Sequence, residues 1–231
     1  MDTMPIGDAV KDRGLTSPAG LSEQTLGSCP MSTTLMPPPG GPPWNPSPLY
    51  RLTVDEYEAM VAAGAFRGWR RLNLINGFLV ERMTQNPPHV IATDQCHDQL
   101  ARVLPPGWHV RSAHPVVLPG QASVPEPDQC VVRGTKRDYL KGHPGPADIA
   151  LVAEVADSSL TDDRAYAVNV YGPAGIPVYW IVNLIDRQVE VYTQPQADGY
   201  GSRAVFGPGQ TVPVEIDGQE VGAIAVDDLL P

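Results

Sequence analysis

Two carboxylates stand where the surrounding sequence makes a charge costly. Asp128 closes the run Pro125-Glu-Pro-Asp and opens an apolar stretch reaching Arg133, and Glu154 interrupts the apolar run Ile149–Ala156. A charge in such a setting is unfavourable unless it is paired, hydrogen-bonded or bound to a metal. Both stretches have the length and composition of core strands. If they are antiparallel neighbours joined through residues 134–147, the start of the first lies beside the end of the second, and Asp128 adjoins Glu154. Two converging carboxylates repel, raise one pKa or share a divalent cation. Magnesium (or manganese) suits them, because it accepts one or two protein carboxylates and keeps several waters. Such an ion lowers the pKa of water and stabilises charge on a phosphodiester. Acids that merely mark the solvated ends of strands give the same pattern, and the residues alone leave that alternative open.

Other candidate groups are sparser. Asp94, His97 and Asp98 share a helical neighbourhood and read as surface polarity. Cys130 lies two residues from Asp128 and reads as core packing, as do Tyr179 and Trp180. Arg82 reads as a solvated strand residue that could also contact phosphate. No G-x-S-x-G elbow, P-loop, G-x-G-x-x-G or H-E-x-x-H occurs.

The elements that must position these groups are legible from local signals. Thr53-Val-Asp-Glu56 is a capping box, opening a helix to about Ala63. Leu72–Ile75 and Phe78–Met83 flank Asn76-Gly77, a strong hairpin signal. Pro87-Pro88 closes that hairpin, and a helix follows from His89 to Leu104 with Val90, Ile91, Leu100, Val103 and Leu104 as its apolar stripe. Trp108–Ser112 and Pro115–Leu118 read as strands, followed by the core strands Asp128–Arg133 and Ile149–Ala156. A helix over 162–174 ends at Gly175. Val178–Asn183 and Gln188–Thr193 form a second hairpin, and short strands near Ala204, Val212 and Ala223 complete a sheet edge. The order predicts an α/β (α+β) fold, a mixed sheet with helices packed against it.

The chain has 231 residues, 42% hydrophobic, with a formal net charge of −10. That charge speaks against a sequence-independent coat on a polyanion, which uses a basic surface. It allows a small basic patch or a site where a metal neutralises phosphate. Residues 1–47 hold few aromatics and end in a Pro/Gly stretch, so they read as a disordered tail before one domain over 48–231. Met31 offers an alternative start. Three widely spaced cysteines, without C-x-x-C, suit no disulfide framework or zinc site. With no apolar run near 20 residues and no signal-peptide pattern, the expectation is a cytoplasmic protein without membrane partners.

The stretches "LNLINGFLVERM", "EPDQCVVRG", "AEVADSS" and "DRAYAVNVYGPAGIPVYWIVN" resemble the Uma-two family of endonucleases, a branch of the PD-(D/E)XK nuclease superfamily. The resemblance spans roughly Tyr50 to Thr193 and implies a restriction-endonuclease-like fold, DNA as substrate and often a homodimer. It also implies four catalytic positions. The acidic pair falls on Asp128 and Glu154. The first-hairpin glutamate falls on Asn73 and the lysine on Ala167, so two positions have changed chemistry. His89 matches a histidine common in the family that could orient substrate or water; a capping or surface role is the alternative. Of the three lysines, Lys11 lies in the tail, and Lys136 and Lys141 lie in the far connection, well away from Asp128 at ~3.3 Å per strand residue. Arg164 is the nearest cationic substitute; it can stabilise charge but stays protonated and cannot act as a base. Three readings follow: a magnesium-dependent DNA endonuclease impaired at Asn73 and Ala167, a pseudonuclease kept as a nucleic-acid or protein interaction module, or a metal-free dimerisation protein in which Asp128 and Glu154 do not converge.

Overall fold

The computed structural model describes residues 49–66, 72–82 and 84–231. The 1–47 tail, with Lys11 and Cys29, and Met83 at the hairpin's end lie outside the described residues. No helix among them is long and apolar enough to cross a membrane.

Helix α1 (Val54–Ala62) starts at the expected capping box: Thr53 accepts from the Glu56 N–H, and the Glu56 side chain accepts from the Thr53 N–H. Strands β1 (Leu72–Ile75) and β2 (Phe78–Glu81) pair antiparallel through the Asn76-Gly77 turn. Asn76 at φ 50° and Gly77 at φ 80° hold the left-handed conformations that this two-residue turn requires. Helix α2 (Pro87–Val103) begins earlier than expected. Both prolines sit in its first turn, where their missing N–H groups cost nothing, and the Asn86 side chain caps it.

The expected stripe on α2 needs correction. Val90 and Ile91 are 41% and 49% exposed, and the buried face is Ala92, Thr93, Cys96 and Leu100. That set follows the same helical period but uses small residues, which let the helix approach the sheet closely.

Strands β3 (Trp108–Ser112), β4 (Gln129–Arg133), β5 (Ile149–Ala156), β6 (Val178–Asn183), β7 (Gln188–Gln196) and β8 (Gly199–Phe206) form one six-stranded sheet in that order. Only β5 and β6 are parallel, and the chain between them carries helix α3 (Leu160–Tyr166), the crossover a parallel pair needs. Strands β9 (Thr211–Ile216) and β10 (Gln219–Ala225) form a separate hairpin, not a continuation of the sheet edge as expected. Pro115–Leu118 is not a strand. Only Leu118 forms a bridge, antiparallel with Ser123; the Val116 N–H donates to the Pro125 carbonyl, but Pro125 has no N–H to return the bond, so the ladder goes no further.

Alternation along the strands builds two cores. On one face Leu151, Ala153, Val155, Trp180 and Val182 pack with Leu100 of α2 and Val212 and Val214 of β9. On the other Val152, Ala156, Tyr179 and Ile181 pack with Ala167, Val170 and Tyr171 of the α3 crossover and Ile75 of β1. The crossover was expected as one helix over 162–174. It is instead α-helical to Tyr166 and then widens into a π-turn over Ala167–Tyr171, closed by the Gly172 N–H donating to the Ala167 carbonyl at 3.1 Å. After it, Gly172 lies directly against the backbone of Gly199 in β8, and a Cβ there would collide with that carbonyl. Gly172→Ala is therefore expected to cost about 1–3 kcal/mol in urea denaturation; a loss under about 0.5 kcal/mol, the usual surface value, contradicts this packing.

Candidate active site

The β4–β5 register pairs Gln129 with Ala153, which sets Asp128 beside Glu154 as the sequence expectation required. The two residues are joined by crossed hydrogen bonds. The Asp128 N–H donates to Glu154 Oε2 at 2.9 Å, and the Val155 N–H donates to Asp128 Oδ2 at 2.9 Å. The Tyr171 hydroxyl donates to Glu154 Oε1 at 2.9 Å from the π-turn. Cys130 of β4 and Val152 and Ala156 of β5 pack on the α3 side, and the same alternation puts both carboxylates there, at one wall of a cleft of about 190 Å³.

A guanidinium, an imidazole and an amide close around Asp128. Arg82, just past β2, donates through Nη2 to Asp128 Oδ1 at 3.0 Å and through Nη1 to Glu126 Oε2 at 3.1 Å. Gln85 Nε2 donates to Oδ1 at 3.1 Å. His89 Nε2 lies 3.1 Å from Oδ2; its backbone N–H is capped by Asn86, so the start of α2 sets its position. Asp163 of α3 completes the cleft, nearly buried, with the Ser159 hydroxyl donating to its Oδ2 at 2.7 Å.

Burial dominates the electrostatics. It pushes the Glu154 carboxyl well above its ordinary range, aided by the charges of Asp128 and Asp163. It pushes Asp163 up to about 7 against the Ser159 bond, with the Asp128 charge adding to the rise. For His89, burial alone would lower the pKa, but the bond to Asp128 and its charge outweigh this and raise it.

Of the residues singled out from sequence, the structure brings Asp128, Glu154 and His89 together. Arg164 goes elsewhere. It is not among the cleft-lining residues, and its Nε and Nη2 donate to Glu190, a fully buried carboxylate that also takes Arg203, Tyr192 and Asn183. Glu190 is lowered to about 2, because those bonds, Arg164's first, outweigh the rise that burial alone would cause. Arg164 thus ties α3 to β7. Asn73, which the resemblance matches to the family's glutamate, does line the cleft, and its Oδ1 is buried without a hydrogen-bond partner. Ala167, which the resemblance matches to the family's lysine, is fully buried in the α3-side core. Lys136 and Lys141 are exposed, outside the cleft. His97 bonds Ser112, and Cys130 is buried, its thiol pushed up by burial.

Sequence reasoning missed Gln85, Tyr171 and Asp163 as site residues. Asp163 and Tyr171 fall within the most specific of the family-like stretches; Gln85 carried no signal.

The family model Uma2, described as "Putative restriction endonuclease", matches residues 54–224. The chain belongs to this family. A crystal structure of a "putative nuclease belonging to DUF820" from Anabaena variabilis superposes with a TM-score of 0.55 at 16% identity, covering 77% of this chain and 97% of that one. At that identity the likeness concerns the fold. No curated protein matches the chain.

Uma-two and restriction-endonuclease-like proteins generally use divalent metals, so the donor set matters. Asp128 and Glu154 offer hard carboxylate oxygens; burial first, and then the Asp128 charge, hold Glu154 towards its neutral form, a cost that a cation there would relieve. Among the described residues no group of three or more His, Cys, Asp or Glu is arranged to hold an ion. Asp128 and Glu154 are the two carboxylates that would hold an ion in this cleft, a number that suits one retaining several waters.

Asp163 gives a pH signature. Its ordinary pKa of 3.8 rises to about 7 in the folded state, so the folded state holds more protons than the unfolded between those values. Stability therefore falls as pH rises from about 4 to 7. Asp163→Asn, which keeps an oxygen to accept from Ser159, is expected to flatten that decline and melt above the wild type at pH 8, with little difference at pH 4. A lower melting temperature at pH 8 contradicts the assignment.

Proposed function

We propose that this chain is a DNA endonuclease of the Uma-two family that hydrolyses phosphodiester bonds with a divalent ion, magnesium or manganese, held by Asp128 and Glu154, and that its turnover is impaired. The observation that carries this reading is the convergence of Asp128 and Glu154 in a cleft rimmed by Arg82 and His89. An ion bound there supplies Lewis-acid stabilisation of the phosphate and lowers the pKa of water.

The chain's own residues do the positioning. The Asp128 and Val155 N–H groups and the Tyr171 hydroxyl fix both carboxylates without free rotation. Arg82 and His89 are the cleft's groups that can donate to a phosphodiester backbone when released from Asp128. The site lacks the family glutamate, because Asn73 is neutral. It also lacks the family lysine, because Ala167 has no functional group and sits within the core. Losing one preorganised electrostatic stabiliser typically lowers rate by ~10²–10³. DNA is the partner this reading requires, in the cytoplasm, with a homodimer as the arrangement that would serve two strands.

The buried Ala167 and the ion pair already formed on Asp128 favour a second reading, a pseudonuclease that binds nucleic acid or protein without cutting. Plasmid nicking separates the two. Slow Mn²⁺-dependent nicking is expected from the wild type, none from Asp128→Asn or Glu154→Gln, and a gain on the order of tenfold or more from Asn73→Glu. Absence of nicking in the wild type and in Asn73→Glu, with either ion, leaves the pseudonuclease.

A further inference from the structure

Arg82 sits on the acidic pair itself. Its side chain is 13% exposed and holds Asp128 and Glu126 at 3.0 and 3.1 Å. A carboxylate has about four lone-pair sites, and Asp128 uses as many: Arg82 and Gln85 on Oδ1, the Val155 N–H and His89 on Oδ2. Glu154 is engaged at both oxygens, by the Asp128 N–H and the Tyr171 hydroxyl. A divalent ion approaching these oxygens must take Asp128 from a guanidinium and then face that cation at short range. In a cleft shielded from water such repulsion is strong. The arginine also comes from the segment after β2, across the cleft from the α3 crossover where Ala167 stands in the lysine position. Its guanidinium holds Asp128 and Glu126 at once, and its charge is what opposes an ion.

Resting on the reading of Asp128 and Glu154 as the metal-holding pair, we propose that Arg82 is the resident counter-ion of that pair and suppresses divalent-ion binding. An ion occupies the site only as the guanidinium leaves Asp128. The site is thus charge-compensated from within.

Isothermal titration of MnCl₂ into the full-length chain tests this, with thermal melts of each variant alongside. Arg82→Gln is expected to bind Mn²⁺ at least about tenfold more tightly than the wild type. Arg82→Lys, which keeps the charge, stays near the wild type, and Arg82→Gln combined with Asp128→Asn loses binding. Arg82→Met, which keeps the aliphatic stem, is a second neutral variant read in the same way should the glutamine variant melt early. Equal affinity in wild type and neutral variants overturns the role of Arg82 while leaving the metal reading intact. No binding in any of them overturns the metal reading and this inference with it. A gain that survives Asp128→Asn places the ion elsewhere and also overturns the proposal.

Discussion

The structure turns on the placing of two carboxylates side by side on adjacent core strands. Asp128 and Glu154 are 5% and 9% exposed, with crossed hydrogen bonds between side chain and backbone. Their negative charge must be offset locally, since a buried, uncompensated carboxylate is strongly destabilising. The surroundings are organised around that need. The hairpin delivers Arg82, the first turn of α2 delivers His89, and the π-turn delivers the Tyr171 hydroxyl. Glu154 answers the same constraint by moving towards its neutral form.

The same constraint recurs at Glu190 with a different answer. There a fully buried carboxylate is held ionised by two arginines and a tyrosine, and it ties α3 and β8 to β7. One acidic centre faces a cleft and is only partly neutralised by cations; the other is saturated by donors and braces the sheet. The chain carries net charge −10, and the cleft shares that sign: carboxylates outnumber Arg82 and His89 along its lining.

Much of this was legible in the sequence where the signal is local. The capping box at Thr53, the Asn76-Gly77 turn and the two core strands read directly, and strand register alone brought Asp128 to Glu154. What failed depended on tertiary placement. Val90 and Ile91 looked like a core stripe because they are large and apolar, yet Ala92 and Cys96 face the sheet because only small side chains fit there. Arg164 is next to Asp163 in sequence, but side chains one apart on a helix diverge, so one meets the cleft and the other Glu190. Arg82 carried no local mark of its destination, since the partner it meets is 46 residues away. Nothing local marked Ala167 as buried; it opens the π-turn of the crossover, whose widening the sequence pattern did not show.

The central claim is that Asp128 and Glu154 form one ion-holding pair whose charge Arg82 balances when no ion is bound. A crystal soaked in Mn²⁺ and measured at the manganese absorption edge tests it most directly. The account predicts an anomalous peak bridging Asp128 and Glu154, with the Arg82 guanidinium moved off Asp128. A peak there with the Arg82–Asp128 ion pair intact, or no peak at the pair at saturating Mn²⁺, would contradict it.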